Sequence, residues 1–507
     1  MDLIAALHTA FSLNGLSLLG AGCVVALVLG MLPGLSSTEA MIILLPFTYS
    51  LNIDQSMLLL SSAYASAFVG GALTSIVFGI PGSSTGLATV LDGHPLHQQG
   101  RTIFAVTVAA VSSAVAGLLA LFIVIGLMPV MEPLSLMFGP PEWFAFVVFG
   151  LVVLAFSDEH NFVRGLIAAS LGMLCGAAGI SVVTAEPRFT FGLAELWGGV
   201  PIVAAFVGLY PLGEAMSMMM GEHTQHWSYA AERRPWKEQR KEIAEGAWAC
   251  FRHFDKLGIA GIVGWVIGVI PGVGATLANI IGYLVVKETA RKKDGFGKGE
   301  VRGLIASESA NNASVGGALV PALALGIPGS LNTAILLGVF MINGIQPGTN
   351  VFAENLDVTW AILIAVAVGT VLASALVIFG GWRLVSLVTR IHPRVVAPVI
   401  IIIGFCAVLF ARGNPLDLII AGGLGILGVF MKRYSFSRIS FVIALMLGPL
   451  FESSYFQSLS IGRGHYSIFV HSYISAVLWI CIAACLLLHI KRSYGRARQA
   501  TTVGTWA

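Results

Sequence analysis

Apolar runs long enough to cross a bilayer alternate with short polar turns along nearly the whole chain, and several of the runs are broken in the middle. A membrane-spanning helix needs about 20 predominantly apolar residues. The first run, Leu16 to Leu51, is too long for one crossing; it is interrupted at Pro33-Gly34 and leaves through Asn52 and Asp54. The second starts at Ser56, passes Gly79-Ile80-Pro81-Gly82 and ends at HPLHQQGR. Crossings are then predicted near residues 102 to 129, 142 to 156, 163 to 183 and 197 to 218, with turns at MEP, SDEHNFVR and TAEPRF. After a polar connection from Glu222 to Lys256 the pattern restarts. Leu257 to Val286 is broken at Pro271-Gly272, and the run from Gly303 is broken at Gly326-Ile327-Pro328-Gly329 before the loop GIQPGTNVFAENLD. Further crossings are predicted near 358 to 381, 396 to 411, 416 to 431, 439 to 452 and 472 to 490.

The restart is a repeat. GGALTSIVFGIPGSSTGLATVLDGHP, from Gly70 to Pro95, matches GGALVPALALGIPGSLNTAILLGVFMINGIQP, from Gly316 to Pro347. The earlier breaks match in the same order, as LGMLPGLSSTEA (Leu29 to Ala40) and IGVIPGVGATLA (Ile267 to Ala278). Paired breaks in two halves point to a transporter's midplane site.

Charge then fixes the predicted orientation, because excess Lys and Arg mark cytoplasmic loops. Leu257 to Val286 has basic residues on both flanks, Arg252 and Lys256 before it and Lys287, Arg291, Lys292 and Lys293 after it. A segment whose ends share a side is a re-entrant hairpin with Pro271 near its tip, the alternative being a broken full crossing. By symmetry Pro33 tips a hairpin that enters from outside. The N-terminus and the tip near Asn52 are expected outside; Glu222 to Lys256, Lys287 to Arg302 and the basic C-terminal tail are expected in the cytoplasm. Arg412 and Arg463 are exceptions to the alternation. The predicted fold is therefore an all-α polytopic membrane protein of two inverted repeats. Each has a re-entrant hairpin followed by a discontinuous transmembrane helix, giving about eleven crossings and two hairpins at the usual span length. The division is 1–221 for the first half, 222–256 for a cytoplasmic connection, 257–490 for the second half and 491–507 for a cytoplasmic tail.

Composition agrees. Of 507 residues 57% are hydrophobic and 10% charged, with mean hydropathy +0.88, whereas soluble domains are about a quarter charged. The net charge of +3 comes with no polybasic arm, which gives no reason to expect nucleic acid. Cys23, Cys175, Cys250, Cys406, Cys481 and Cys485 lack metal-binding spacing and are expected to be small buried hydrophobes. The opening MDLIAALHTAFSLNG lacks the basic region and cleavage pattern of a signal peptide; a retained short interfacial helix is expected.

The chemistry gathers at the breaks. Pro33, Pro81, Pro271 and Pro328 lack an N–H, and Gly34, Gly82, Gly272, Gly274 and Gly329 allow close backbone approach, so backbone groups are released from helical bonding. Half-helix N-termini suit an anion and freed carbonyls suit Na⁺. Hydroxyls and amides just past the breaks could extend that binding: Ser36, Ser37 and Thr38; Ser83, Ser84 and Thr85; Thr276; Ser330, Asn332 and Thr333. The competing reading is that they cap their own half-helices. Glu308, Asn311 and Asn312 fall three and four apart, on one helical face, where they could hold a cation or accept a proton or, alternatively, brace the hairpin tips. Glu39 and Asp92 are weaker candidates. There is no P-loop and no HExxH, and GFGKGE has the wrong spacing for the former. No cofactor is expected beyond a coupling Na⁺ or H⁺. A passive channel and a membrane-embedded hydrolase are the competing classes.

SESANNASVGGALVPALALGIPGS with GIQPG, together with VFGIPGSSTGLATVLDGHP and the two Pro-Gly breaks, resembles the large membrane subunit of tripartite tricarboxylate transporters, the TctA family. The similarity covers nearly the whole chain. It implies a bacterial inner-membrane permease, not an enzyme, that works with a small four-helix membrane subunit (TctB-like) and a periplasmic solute-binding protein (TctC-like) to import citrate-like or other carboxylates by symport with an ion. An elevator-type cycle is the expectation by analogy with other hairpin transporters. The chain departs from the family pattern at Arg302, where Glu is usual, at Ser307, where Pro is common, at Ala72, where Ser is frequent, and in ESSYFQSLSIGRG, which lacks a usual Leu-Arg.

Overall fold

The structure is a computed structural model that describes residues 2–32, 35–81, 84–157, 162–181, 183–220, 235–271, 274–345, 348, 351, 355–381, 383–384 and 393–487. Helices dominate, as the hydropathy pattern requires, and a two-stranded ladder (β1, Gly179–Ile180; β2, Pro187–Arg188) is the sheet among the described residues. Eight described helices are long and apolar enough to cross a membrane. Two of the eight, Leu13–Gly30 and Ile53–Phe78, are halves of the broken segments, whereas the helices past the breaks, Ser37–Thr48 and Leu331–Ile342, are shorter.

The first repeat comprises α1 (Asp2–Phe11), α2 (Leu13–Gly30), α3 (Ser37–Thr48), α4 (Ile53–Phe78), a 3-10 turn at Ser84–Gly86, α5 (Leu87–Gln98) and α6 (Thr102–Leu136). Helices α2 and α4 run in the same direction. A Cβ on Gly22 would meet the Leu59 carbonyl oxygen, and one on Gly30 would meet that of Ala67. The chain must therefore double back between them, and α3 is the return limb, with the Ser56 hydroxyl at the start of α4 reaching the Thr48 carbonyl at its end.

The second repeat uses the same construction: α11 (Trp236–Arg252), α12 (Phe254–Val269), α13 (Gly274–Thr289), α14 (Val301–Leu325) and α15 (Leu331–Ile342). Gly264 packs on Ala310 and Gly268 on Ser314, so α12 and α14 are parallel, while Gly282 of α13 comes back to Ala260. Small residues at these contacts let backbones touch, the usual means of helix association in a bilayer. The equivalence is closer in space than in sequence. Gly70 sits against Leu27 and Gly30 as Gly317 sits against Trp265 and Gly268. Gly79 and Gly326 then match as left-handed helix ends, with φ of 67° and 64°. The sequence pairing of Gly70 with Gly316 is thus one residue out of register, because α14 carries one more residue between its Gly-Gly pair and its break.

The two repeats face opposite ways. Tyr64 of α4 reaches Ser330, beyond the C-terminal end of α14, while Ile76, twelve residues further along α4, meets Leu304 of the first turn of α14 at Gly93. Helices α4 and α14 are accordingly antiparallel. They form the interior: every residue of α4 from Ser56 to Val77 is buried, as is every residue of α14 from Gly303 to Leu325 except Val320. The hydropathy ordering is inverted relative to a soluble protein. The buried α4 has mean hydropathy 1.4, whereas α6 and the later helix Leu356–Gly381 reach 2.6 and 2.8 with half-exposed surfaces, because the solvent for the outer face is lipid.

The rest of this unit comprises α9 (Ile202–Val207) and α10 (Gly213–Met219), joined by a π-helical turn, then α16 (Leu356–Leu376), α17 (Pro393–Arg412) and α18 (Pro415–Arg433). Buried Glu214 is neutralised by Lys432 at 2.9 Å, and Arg412, exceptional in the charge pattern, by Asp417 at 3.3 Å.

Contacts divide the chain into two compact units, residues 1–135 with 201–434, and 136–200 with 435–507. The division cuts across the linear halves. The second unit holds α7 (Pro140–Ser157), α8 (Phe162–Gly176), the β-ladder, α19 (Arg438–Ile461) and α20 (Tyr473–Leu487). Gly172 abuts the Phe441 carbonyl, Arg188 pairs with Glu452 at 2.6 Å, and Phe144 packs among Phe451, Tyr455 and Phe469.

Several sequence expectations need correction. The MEP turn is absent, since α6 runs through Pro129 and Pro133 to Leu136; a proline inside a membrane helix is tolerated where neighbours satisfy the freed carbonyl. The crossing placed at 163 to 183 stops at Gly176. The connection from 222 to 256 contains α11, a helix of 17 residues; residues 221–234 lie outside the described set, as does the tail. Cys23 and Cys250 are buried, but Cys406 and Cys481 are exposed, among apolar residues such as Ile402, Phe410, Val477 and Ile480 that are exposed on the same helices. The short N-terminal helix is present as α1.

Candidate functional site

Both hairpin return limbs meet the broken segment of the other repeat. In the first meeting, α3 starts with Ser36 as N-cap in a capping box with Glu39, whose carboxylate accepts from the Ser36 N–H at 2.7 Å. α15 starts with Ser330 as N-cap in a box with Thr333. Ser36, Ser330 and Thr333 therefore cap their own helices, as the simpler reading required. Asn332 does something else. Its Nδ2 donates to Ser37 Oγ at 2.8 Å and its Oδ1 accepts from Thr38 Oγ1 at 3.0 Å, joining the two helix starts. The Tyr64 hydroxyl lies 3.2 Å from Ser330 Oγ and closes the group from α4.

The second meeting pairs α13 with α5. Asn279 Oδ1 accepts from the Ala88 N–H at 2.8 Å, and its Nδ2 donates to the Ser307 carbonyl at 3.0 Å. Beside it Glu308, fully buried, accepts from the hydroxyls of Thr89 and Ser113, the latter at 3.0 Å. Asn312 Nδ2 donates to the same Ser113 oxygen at 2.7 Å. Among the described residues no basic side chain pairs with Glu308. Among the described residues the side-chain Oδ1 atoms of Asn311 and Asn312 are buried with no hydrogen-bond partner, although buried amides are normally satisfied. The Glu308 carboxylate is the kind of group that can take a cation or a proton, and hydroxyls at helix starts such as those around Asn332 are the kind that can take an anion.

The structure thus brings Glu308 and Asn312 together on Ser113, but leaves Asn311 outside that network. Pro81, Pro271 and Pro328 lie in the breaks that follow Phe78, Val269 and Leu325. Gly329 lies against Ala318, where a Cβ would approach its backbone to 2.8 Å. Gly274 opens α13 with φ of 63°. Thr85 and Thr276 lie near these starts with partners of their own, and Ser84 opens the 3-10 turn. Pro33, Gly34, Gly82, Ser83 and Gly272 lie outside the described residues. Asp92 belongs to neither group. Its Oδ1 accepts the N–H groups of Gly297, Gly299 and Glu300 at 2.8, 2.9 and 2.8 Å, clamping the loop before α14.

Sequence reasoning missed Tyr64, Thr89, Ser113 and Asn279. Asn279 had a usable signal, an amide inside an apolar helix; the hydroxyls had none. Of the departures from the family pattern, Arg302 is accommodated by Glu300, which it meets with Nε to Oε1 and Nη2 to Oε2, both at 3.0 Å. Ser307 presents its carbonyl to Asn279.

Comparison with known proteins accords with this architecture. The sequence pattern of the tripartite tricarboxylate transporter TctA family matches residues 16–443. An uncharacterized 52.8 kDa protein in the TAR-I ttuC' 3' region of Agrobacterium vitis is 30% identical over 485 residues, covering 95% of this chain and 94% of its own. An uncharacterized protein in the TAR-II ttuC' 3' region of the same organism is 32% identical over 234 residues, 45% of this chain and 96% of its own. No solved structure matches. The chain belongs to the TctA family, and is therefore a multi-pass membrane component of a tripartite transporter and not an enzyme.

Proposed function

We propose that this chain is the large permease subunit of a binding-protein-dependent secondary transporter that imports a tricarboxylate or related carboxylate on a Na⁺ or H⁺ gradient. The observation that carries this reading is the joining of opposite repeats at both breaks, by Asn332 with Ser37 and Thr38 and by Asn279 with Ala88 and Ser307. A site shared by two inverted repeats can open to either side by exchanging their roles, which is the requirement for coupled transport. In this reading the group around Asn332 and Ser330 receives the substrate carboxylate, and the group around Glu308 and Asn312 receives the coupling cation. The hairpins and broken segments move as one body in an elevator-type cycle. The partners are a small four-helix membrane subunit and a periplasmic solute-binding protein, the membrane is the bacterial inner membrane, and the C-terminus is cytoplasmic.

Uptake of radiolabelled citrate and smaller di- and tricarboxylates into proteoliposomes, with the binding protein supplied, tests the reading. Accumulation above the external concentration under an imposed Na⁺ or proton gradient is expected. Equilibration that never exceeds the external concentration, whatever the gradient, would identify a channel instead.

A further inference from the structure

Helix α11 carries an outward face that the transport site does not use. Its inner face, Gln239, Gly246 and Cys250, is buried; a Cβ on Gly246 would approach Thr107 Cβ of α6 to 2.9 Å, and Cys250 lies against Val108 and Ser112. Two of its acidic residues turn to α6 and the residue before it. Glu242 accepts from the Phe104 N–H at 3.1 Å, and Glu245 pairs with Arg101 at 3.3 Å and, on its exposed side, with Lys241 at 4.0 Å. The opposite face, at helical spacing, presents Lys237, Arg240, Lys241, Trp248, Phe251 and Arg252, with Trp248 and Phe251 exposed by 68% and 58%. Glu238 is exposed on its flank.

The placement of this face is equally specific. Near the start of α6, Arg101 and Phe104 bond the middle of α11. The helix thus lies where the membrane helices begin. Directly after it, α12 exposes Ile259, Ile262 and Val266 on one face, with Phe254 exposed in its first turn. A helix facing bulk water has no reason to expose large aromatics beside its bases; at a membrane surface the combination is the expected one.

We propose that α11 is an interfacial helix that binds the headgroups of anionic phospholipids through Lys237, Arg240 and Lys241, with Trp248 and Phe251 set at headgroup depth above the lipid-facing strip of α12. The attraction is electrostatic and falls with salt. It is independent of which solute the protein carries.

The test is a titration of the purified full-length chain in neutral detergent with phosphatidylglycerol and, separately, with phosphatidylcholine, followed by the thermal unfolding midpoint. Phosphatidylglycerol is expected to raise the midpoint at lower concentration than phosphatidylcholine, and the difference to shrink at high salt. Each basic residue near an anionic surface contributes about 5-fold in affinity, so K237Q/R240Q/K241Q should need roughly 100-fold more phosphatidylglycerol with an unchanged phosphatidylcholine response. If the triple variant is not monodisperse, the three single variants are measured, each expected to shift the titration about 5-fold. Equal responses of the native chain to both lipids, or an unchanged phosphatidylglycerol titration in the variants, would overturn the proposal.

Discussion

Asn332 and Thr38 stand 294 residues apart in the chain and share a 3.0 Å hydrogen bond that ties the first helix start of one repeat to the second break of the other. Asn279 makes the matching tie at the opposite pole. Both amides use donor and acceptor together, so removing either leaves buried polar atoms unpaired.

Asn332→Ala is accordingly expected to lower stability by roughly 1 to 3 kcal/mol and to weaken transport together with it. Asn279→Ala should do the same at its own pole. Thermal unfolding in detergent, alongside uptake in proteoliposomes, measures both effects. A variant of either kind that keeps native stability and native uptake would show that the tie is incidental.

Glu308→Gln preserves size and removes the carboxylate that Thr89 and Ser113 serve. Transport is expected to lose its dependence on the coupling ion while the protein still reaches the membrane. Ser113→Ala, which takes one donor from Glu308 and the acceptor from Asn312, should weaken transport by about 5-fold to 150-fold, the equivalent of 1 to 3 kcal/mol. Unchanged ion dependence in Glu308→Gln, at normal membrane abundance, would exclude the carboxylate from coupling.

The loop before α14 supplies a pH prediction. Arg302 holds the Glu300 carboxyl below a free glutamate's 4.5. Because the folded value is the lower one, the pair's contribution is present above about pH 4.5 and is lost as pH falls through the folded value. The pair is partly exposed, so the loss should be about 1 kcal/mol or less. Unfolding midpoints of the native protein and Glu300→Gln should converge on acidification, and parallel curves would contradict the assignment.

Asp92→Ala orphans three backbone N–H groups at once and should cost about 3 kcal/mol or more. Its signature is local: hydrogen exchange at 297–300 should rise far more than exchange within α4.

Sidedness is read with cysteine labels. A cysteine replacing Lys292 should resist an impermeant reagent applied outside intact cells, whereas one replacing Asn52 should react. The reverse pattern would invert the proposed orientation.

The sequence by itself determined that this is a helical membrane protein, where its helices break, and that the breaks recur. Those features depend on local composition: a Pro without its N–H, a Gly tolerant of positive φ, and Glu308 or Asn332 standing in runs where polarity is costly. Only the tertiary structure decided what the hydroxyls do. Thr107 and Ser112 of α6 bond carbonyls four residues back, at 2.7 Å for Thr107 and through a short contact to Val108 for Ser112, the ordinary fate of a hydroxyl in a membrane helix. Ser113, the next residue, turns to Glu308 and Asn312 of the other repeat. Nothing in the order VSSA separates the two serines. Nor could the Gly-Gly motifs give the repeat register, because Gly70 and Gly317 are matched by the backbones that press on them, and those backbones come together only when the helices pack.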